Sequence, residues 1–130
     1  MEFPDDMLYS VEHTWVKMEG KLATIGITEY ALEDLGEILE AELPSEGEEI
    51  TQYEAFGSLE SVRTVTELIS PISGEIMEVN DDLATEPEMI NEDPYQRGWM
   101  LVVKLVDADE TRELMTATEY ARYTNEQKKS

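Results

Sequence analysis

The chain has 130 residues, 41% of them apolar, no cysteine, and 31 acidic against 9 basic residues, for a net charge of −22. That length and apolar content fit one domain, residues 1–130, with its own core, and the lack of cysteine excludes disulfide and thiolate chemistry. The acidity argues against nucleic acid and anionic membrane as partners, since both need a basic face, and favours solubility and steering towards basic protein surfaces.

No apolar run is long enough to span a bilayer. The start, Met1-Glu2-Phe3-Pro4-Asp5-Asp6, lacks the basic and apolar blocks of a signal peptide, so the expected location is cytoplasmic. Residues 1–8 read as an irregular arm. A short strand is expected within Tyr9–Met18, a tight turn at Glu19-Gly20 and a return strand over Lys21–Ile27. Thr28 is an N-cap residue and Glu29 suits the first helical turn. A short helix over 29–35 follows, with Ala31, Leu32 and Leu35 as its apolar face and Gly36 to end it. Glu37–Leu43 alternates as a strand, Pro44-Ser45-Glu46-Gly47 is a turn, and Ile50–Tyr53 leads into a hairpin.

The hairpin pairs Phe56–Leu59 with Val62–Thr66 and places Glu60-Ser61 at its tip. Pro71-Ile72-Ser73-Gly74 is a second turn, and Glu75–Val79 is a strand ending at Asn80. Leu83–Glu86 reads as a loop and Glu88–Asn91 as one helical turn. Trp99–Val106 is the clearest strand, with an apolar run that predicts burial on both faces. Asp107–Asp109 can cap a C-terminal helix near 110–123, with Leu114, Ala117, Ala121 and either Met115 or Tyr120 on one side. Asn125–Ser130 is a polar tail expected to fray. The whole predicts a mainly β chain, a sandwich or partly closed barrel with two minor helices.

The stretch Phe56–Asn80, FGSLESVRTVTELISPISGEIMEVN, resembles the carrier hairpin of the glycine cleavage system H protein family. That family's pattern is E-S-V-K, then P-x-S-G, then a strand ending in Asn. Glu60, Ser61, Val62, Pro71, Ser73, Gly74 and Asn80 match it. The resemblance extends along the chain through Tyr9-Ser10, His13, Trp15, Gly26-Ile27-Thr28, Leu35-Gly36-Glu37, Leu43-Pro44, Pro87, Ile90-Asn91, Asp93-Pro94-Tyr95, Gly98-Trp99 and Tyr120. It implies a hybrid barrel-sandwich, the lipoyl fold, and a carrier rather than an enzyme. In the family a lysine bears lipoate on a swinging arm. Glycine decarboxylase loads an aminomethyl group onto it, aminomethyltransferase passes the carbon to tetrahydrofolate, and dihydrolipoyl dehydrogenase reoxidises the arm. These three enzymes are the implied partners, and a monomer is the implied state.

Two positions depart from the pattern. Arg63 stands where the family has its lipoyl lysine. An arginine guanidinium stays protonated and is a poor nucleophile, so no lipoyl cofactor is expected on residue 63. Thr14 stands where the family usually has a glutamate near the cleft that shelters the loaded arm, and a hydroxyl supplies no charge to an amine. Glu67 keeps a carboxylate where the family favours aspartate. Arg63 is either a solvated surface arginine or a retained positive charge that partners recognise. Glu60 and Ser61 are either simple turn residues or the remnant of a recognition edge for the lipoate-attaching enzyme, and the resemblance counts Val62 among the recognition residues. Two functions are open: an H protein by descent and by partner surfaces, or a carrier-dead scaffold, regulator or lipoate-pathway accessory.

The remaining candidates read as structural. His13 is the sole histidine and has no visible catalytic partner. Glu46, Glu48, Glu49 and the pair Asp81-Asp82 lack the spacing of a calcium loop. Tyr9, Trp15, Tyr95 and Trp99 are expected in the core and cleft walls. No nucleophile-and-base set or phosphate-cradling loop is present, so no enzyme and no metal site are expected.

Overall fold

A computed structural model describes residues 2–129; Met1 of the expected arm and Ser130 of the expected tail lie outside the described residues. The strands form two antiparallel sheets packed as a barrel-sandwich, the expected fold. They are β1 (Leu8–Tyr9), β2 (Thr14–Glu19), β3 (Leu22–Ile27), β4 (Ile38–Glu42), β5 (Glu49–Ile50), β6 (Ala55–Ser61), β7 (Val65–Ile69), β8 (Gly74–Val79) and β9 (Leu101–Leu105). One sheet has the order β1-β2-β3-β9-β8-β5 and the other β4-β6-β7. The helices are α1 (Glu29–Leu35), α2 (Asp82–Thr85), α3 (Met89–Glu92) and α4 (Ala117–Lys129), with a 3₁₀ turn over Ala108–Glu113.

Period-two patterning sets the inner faces. In β3, Ala23, Ile25 and Ile27 are buried, and they meet Leu59, Leu68, Ile76 and Val103 in the main core. The β2–β3 hairpin turns at Gly20-Lys21, one residue later than expected, where Gly20 takes φ +64°. A second core lies at one end of the larger sheet. Met7, Tyr9, Trp15, Ala117 and Tyr120 pack there, with Tyr95 and Trp99 against them. Gly26 makes room for it: a Cβ at this position would lie 2.4 Å from the Trp15 ring.

Several expectations need correction. The strand at the end of the chain is not buried on both faces. Leu101 and Val103 are buried, but Lys104 is exposed and Val106 is 74% exposed. Its outward row pairs Val102 with Thr24 and Glu78, polar neighbours on an open face. The expected helix near 110–123 starts later. Residues 108–113 are 3₁₀, and Met115 then bridges Tyr9 through Tyr9 N–H to Met115 O (2.8 Å) and Met115 N–H to Tyr9 O (2.7 Å). Thr116 starts α4 with a reciprocal cap: its N–H donates to Glu119 Oε1 (2.9 Å) and Glu119 N–H donates to its Oγ1 (3.2 Å). The helix then runs to Lys129, through most of the expected frayed tail. Leu83–Glu86 is not a plain loop, because α2 forms there to bury Leu83. Within the expected arm, Leu8 pairs with Val16.

Candidate functional site

The turn between β6 and β7 begins two residues later than the sequence suggests. Glu60 and Ser61 belong to β6, and the tip is Val62-Arg63-Thr64. Ser61 builds that tip. Its N–H donates to Thr64 O (2.8 Å), its hydroxyl donates to the same oxygen (3.1 Å), and Oγ accepts from the N–H groups of Arg63 and Thr64 (3.2 Å each). Such hydroxyl-to-backbone bonds compete with the ladder and close a turn locally. Counting strand propensity alone misses this, because Val62 and Thr64 are good strand formers. Glu60 points outward, opposite Glu40 on β4 and Val65 on β7. Val62 is 55% exposed.

The tip leans on the end of α1. Val62 N–H donates to Glu37 O (3.0 Å), and Arg63 Nη1 donates to Glu33 O (2.9 Å) and Asp34 O (3.1 Å). Asn91 secures the same connection from behind: its Nδ2 donates to Gly36 O (2.9 Å) and its Oδ1 accepts from Ile38 N–H (2.8 Å).

Beside this contact lies a cleft of about 240 Å³ between α1, the loop before β2, and β7. Thr14 and Glu67 both line it, so the structure brings these two together. Glu60, Ser61, Val62 and Arg63 are not among the lining residues. The sequence reading missed Glu12 and Asp34, which line the cleft as well. Asp34 was detectable, since Ala31, Asp34 and Leu35 share a face of α1 by helical spacing. Glu12 had no such signal, because it lies in an irregular loop. Thr14 is 1% exposed, and its hydroxyl is 2.6 Å from that of Ser10. With apolar Ile27, Leu35 and Leu68 as further lining, the cleft suits a small organic amine over an anion. The carboxylates of Glu12, Asp34 and Glu67 supply charge that Thr14 lacks. Among the described residues no group of three His, Cys, Asp or Glu is arranged to hold a metal ion.

His13 forms the wall between this cleft and the second core. It has φ +67°, and its Nδ1 is 2.8 Å from the Tyr120 hydroxyl, which is also 2.8 Å from Thr28 Oγ1. Thr28 Oγ1 in turn accepts from Ala31 N–H (3.4 Å) as the cap of α1. Burial lowers the His13 pKa from its ordinary value, against smaller opposing effects of Glu12 and Asp34. The ring is therefore neutral at pH 7. Burial pushes the Tyr120 phenol up, so it keeps its proton. The network closes when Thr28 donates to Tyr120 and Tyr120 donates to Nδ1 of neutral His13. The structural reading of His13 accounts for all of these contacts.

Comparison with known proteins gives consistent matches. A family model described as glycine cleavage H-protein matches residues 7–127. A glycine cleavage system H protein of Bacillus subtilis (strain 168) is 52% identical over 126 residues, covering 97% of this chain and 99% of the relative. One from Bacillus pumilus (strain SAFR-032) is 51% identical over the same length. A crystal structure of a glycine cleavage system H protein from Mycobacterium marinum superposes with a TM-score of 0.87 at 36% identity, covering 95% of this chain and 99% of that one.

Proposed function

Because this chain belongs to the glycine cleavage H-protein family, we propose that it is a non-enzymatic member of a glycine cleavage system whose residue 63 carries no lipoyl group. The observation that carries this reading is Arg63 at the hairpin tip, its guanidinium hydrogen-bonded to two backbone carbonyls of α1. A lipoyl amide needs a neutral lysine amine as nucleophile, and a protonated guanidinium offers none. The group therefore does not fit residue 63, and no transfer step is assigned to this side chain.

The partners that suit the reading are glycine decarboxylase, aminomethyltransferase and dihydrolipoyl dehydrogenase, met in the cytoplasm by a monomer with an acidic surface. The engaged guanidinium also favours a second reading, a carrier-dead regulator that occupies an H-protein docking site without delivering cargo. Near full-length identity to H proteins supports retained docking in both readings.

Co-expression with a lipoate-attaching enzyme and lipoate, followed by intact mass spectrometry, tests the proposal. The native chain is expected at its unmodified mass, and Arg63→Lys is expected to gain one lipoyl group. A lipoyl mass on the native chain would overturn the reading and place the group on Lys17, Lys21, Lys104, Lys128 or Lys129. Binding to aminomethyltransferase separates retained docking from an unrelated role.

A further inference from the structure

We propose that Arg63 is a latch: it ties the hairpin tip to the C-terminus of α1 and makes tip, helix and cleft wall one body. The need for such a latch begins in α1 itself. Seven residues are too few for a helix that stands alone in water, where about 12–15 are marginal. Its last turn carries Glu33 and Asp34 and no basic residue. Negative side chains are the wrong sign beside the negative end of a helix dipole. The last carbonyls also lack intrahelical partners. Gly36 N–H satisfies Leu32 O at 2.9 Å. Glu33 O and Asp34 O, the next two, are the oxygens that Arg63 takes. Arg63 thus brings a cation to this helix end from about one quarter of the chain's length away.

Three further observations point the same way. The net charge of −22 puts carboxylates in excess over basic groups. Among the described residues none lies within ion-pairing distance of Arg63; the ion pairs are Lys17–Asp6 and Arg112–Asp109. The guanidinium is instead committed to main-chain oxygens. Val62 N–H holds Glu37 O just beyond the helix end. Gly36 completes the seat: at φ +75°, a Cβ there would lie 3.1 Å from Val62 Cγ2 and 3.5 Å from Arg63 Nε. Glycine both ends the helix and lets the tip approach.

Arginine suits this task better than lysine. Its planar fork presents N–H groups at the end of a longer reach, and one nitrogen bridges two adjacent carbonyls. The latch also reaches the cleft, because Asp34 gives its carbonyl to Arg63 and lines the cleft wall. Residue 63 is exposed, yet its guanidinium is tied to its own fold. This rests on geometry alone and stands apart from the proposal about lipoylation.

Two measurements on the full chain test it. In the native protein, the Nε–H order parameter of Arg63 by ¹⁵N relaxation is expected to stand well above that of Arg122, which takes no comparable carbonyl pair among the described residues. Equal, low order for the two would overturn the latch. In Arg63→Ala, hydrogen exchange at the Gly36 and Val62 amides is expected to rise about three- to five-fold, the scale of a lost helix-terminus interaction. Arg63→Lys should fall between, and the Ile25 and Val103 amides should stay unchanged. Unchanged exchange at Gly36 and Val62 in Arg63→Ala would likewise overturn it. If Arg63→Ala does not fold, the native order parameter decides.

Discussion

Tyr120→Phe removes one oxygen and leaves the ring. The ring contacts survive: a stack on Tyr9 at 4.7 Å and 8°, and an edge contact with Phe3 at 4.6 Å. The loss is confined to the two 2.8 Å bonds to Thr28 Oγ1 and His13 Nδ1. Thr28 keeps its bond from Ala31 N–H, but its hydroxyl proton loses its acceptor in a fully buried site. A buried group left without a partner costs about 1–3 kcal/mol, so a total near 2 kcal/mol is expected. For a chain of 130 residues the unfolding entropy is about 0.27 kcal/mol/K. The expected fall in Tm is therefore roughly 7 °C. Urea unfolding and thermal melting, both followed by far-UV circular dichroism, measure the two quantities, with Tyr120→Leu as the comparison that also removes the stack and opens a void. The expected order is native, then Tyr120→Phe, then Tyr120→Leu. A Tyr120→Phe variant within about 0.5 kcal/mol of native, beside a clearly destabilised Tyr120→Leu, would show that the ring holds this junction and the hydroxyl does not.

Two further predictions concern the same end of the molecule. His13 has a folded pKa below its unfolded value because burial disfavours the charged ring. Below pH 6.5 the unfolded chain binds the proton first, so the stabilising contribution is present above pH 6.5 and is lost as pH falls through the folded value. His13→Asn, which tolerates the positive φ, is expected to flatten that part of the profile below about pH 6.5; parallel urea profiles for the two proteins would refute it. Gly26→Ala forces a Cβ to 2.4 Å from a ring that is 1% exposed and whose Nε1–H donates to Pro94 O at 3.0 Å. The ring is held by that bond and by the second core, so overpacking should cost about 1–3 kcal/mol, read by urea unfolding. The cost should shrink in a Trp15→Leu background; an equal cost in both would assign it to the backbone.

Which parts of this architecture could be read beforehand follows from the range of the forces involved. The helix at 29–35 was legible because its signals are local: Thr28 as cap, three apolar residues at helical spacing, and Gly36 at the end. Most strands were legible from alternation. The hairpin tip was not, since a single buried hydroxyl, Ser61, outweighs the strand propensity of its neighbours. The late start of α4 was written locally in Thr116-Ala117-Thr118-Glu119, but the acidic stretch 107–110 offered a competing cap. What decided between them was tertiary, the bridge from Met115 to Tyr9. The run 99–106 was misjudged because apolar content alone does not say what covers a face. At the cleft, Thr14 and Glu67 came from family resemblance, whereas Glu12 had no local pattern to reveal it.

The two departures from the family pattern are accommodated in different ways, and each is satisfied where it stands. Arg63 is engaged by carbonyls that α1 leaves open. Thr14 is engaged by Ser10, whose Oγ also accepts its N–H at 3.2 Å. Among the described residues no buried side-chain nitrogen or oxygen is left without a partner. A single lysine-to-arginine change made on an otherwise unaltered carrier would account for residue 63 but for nothing at residue 14. Here the tip is bonded to α1, and Glu12, Asp34 and Glu67 line the cleft. On the proposed function, attachment chemistry and cleft chemistry come apart. Arg63→Lys returns a nucleophile to the tip and leaves the cleft as it is, so the variant asks whether a restored arm finds enough negative charge in the cleft without a glutamate at position 14. An arm on Arg63→Lys that stays mobile once loaded with an aminomethyl group would mean that these three carboxylates do not replace a glutamate at position 14. An arm that docks once loaded with an aminomethyl group would mean that Glu12, Asp34 and Glu67 suffice.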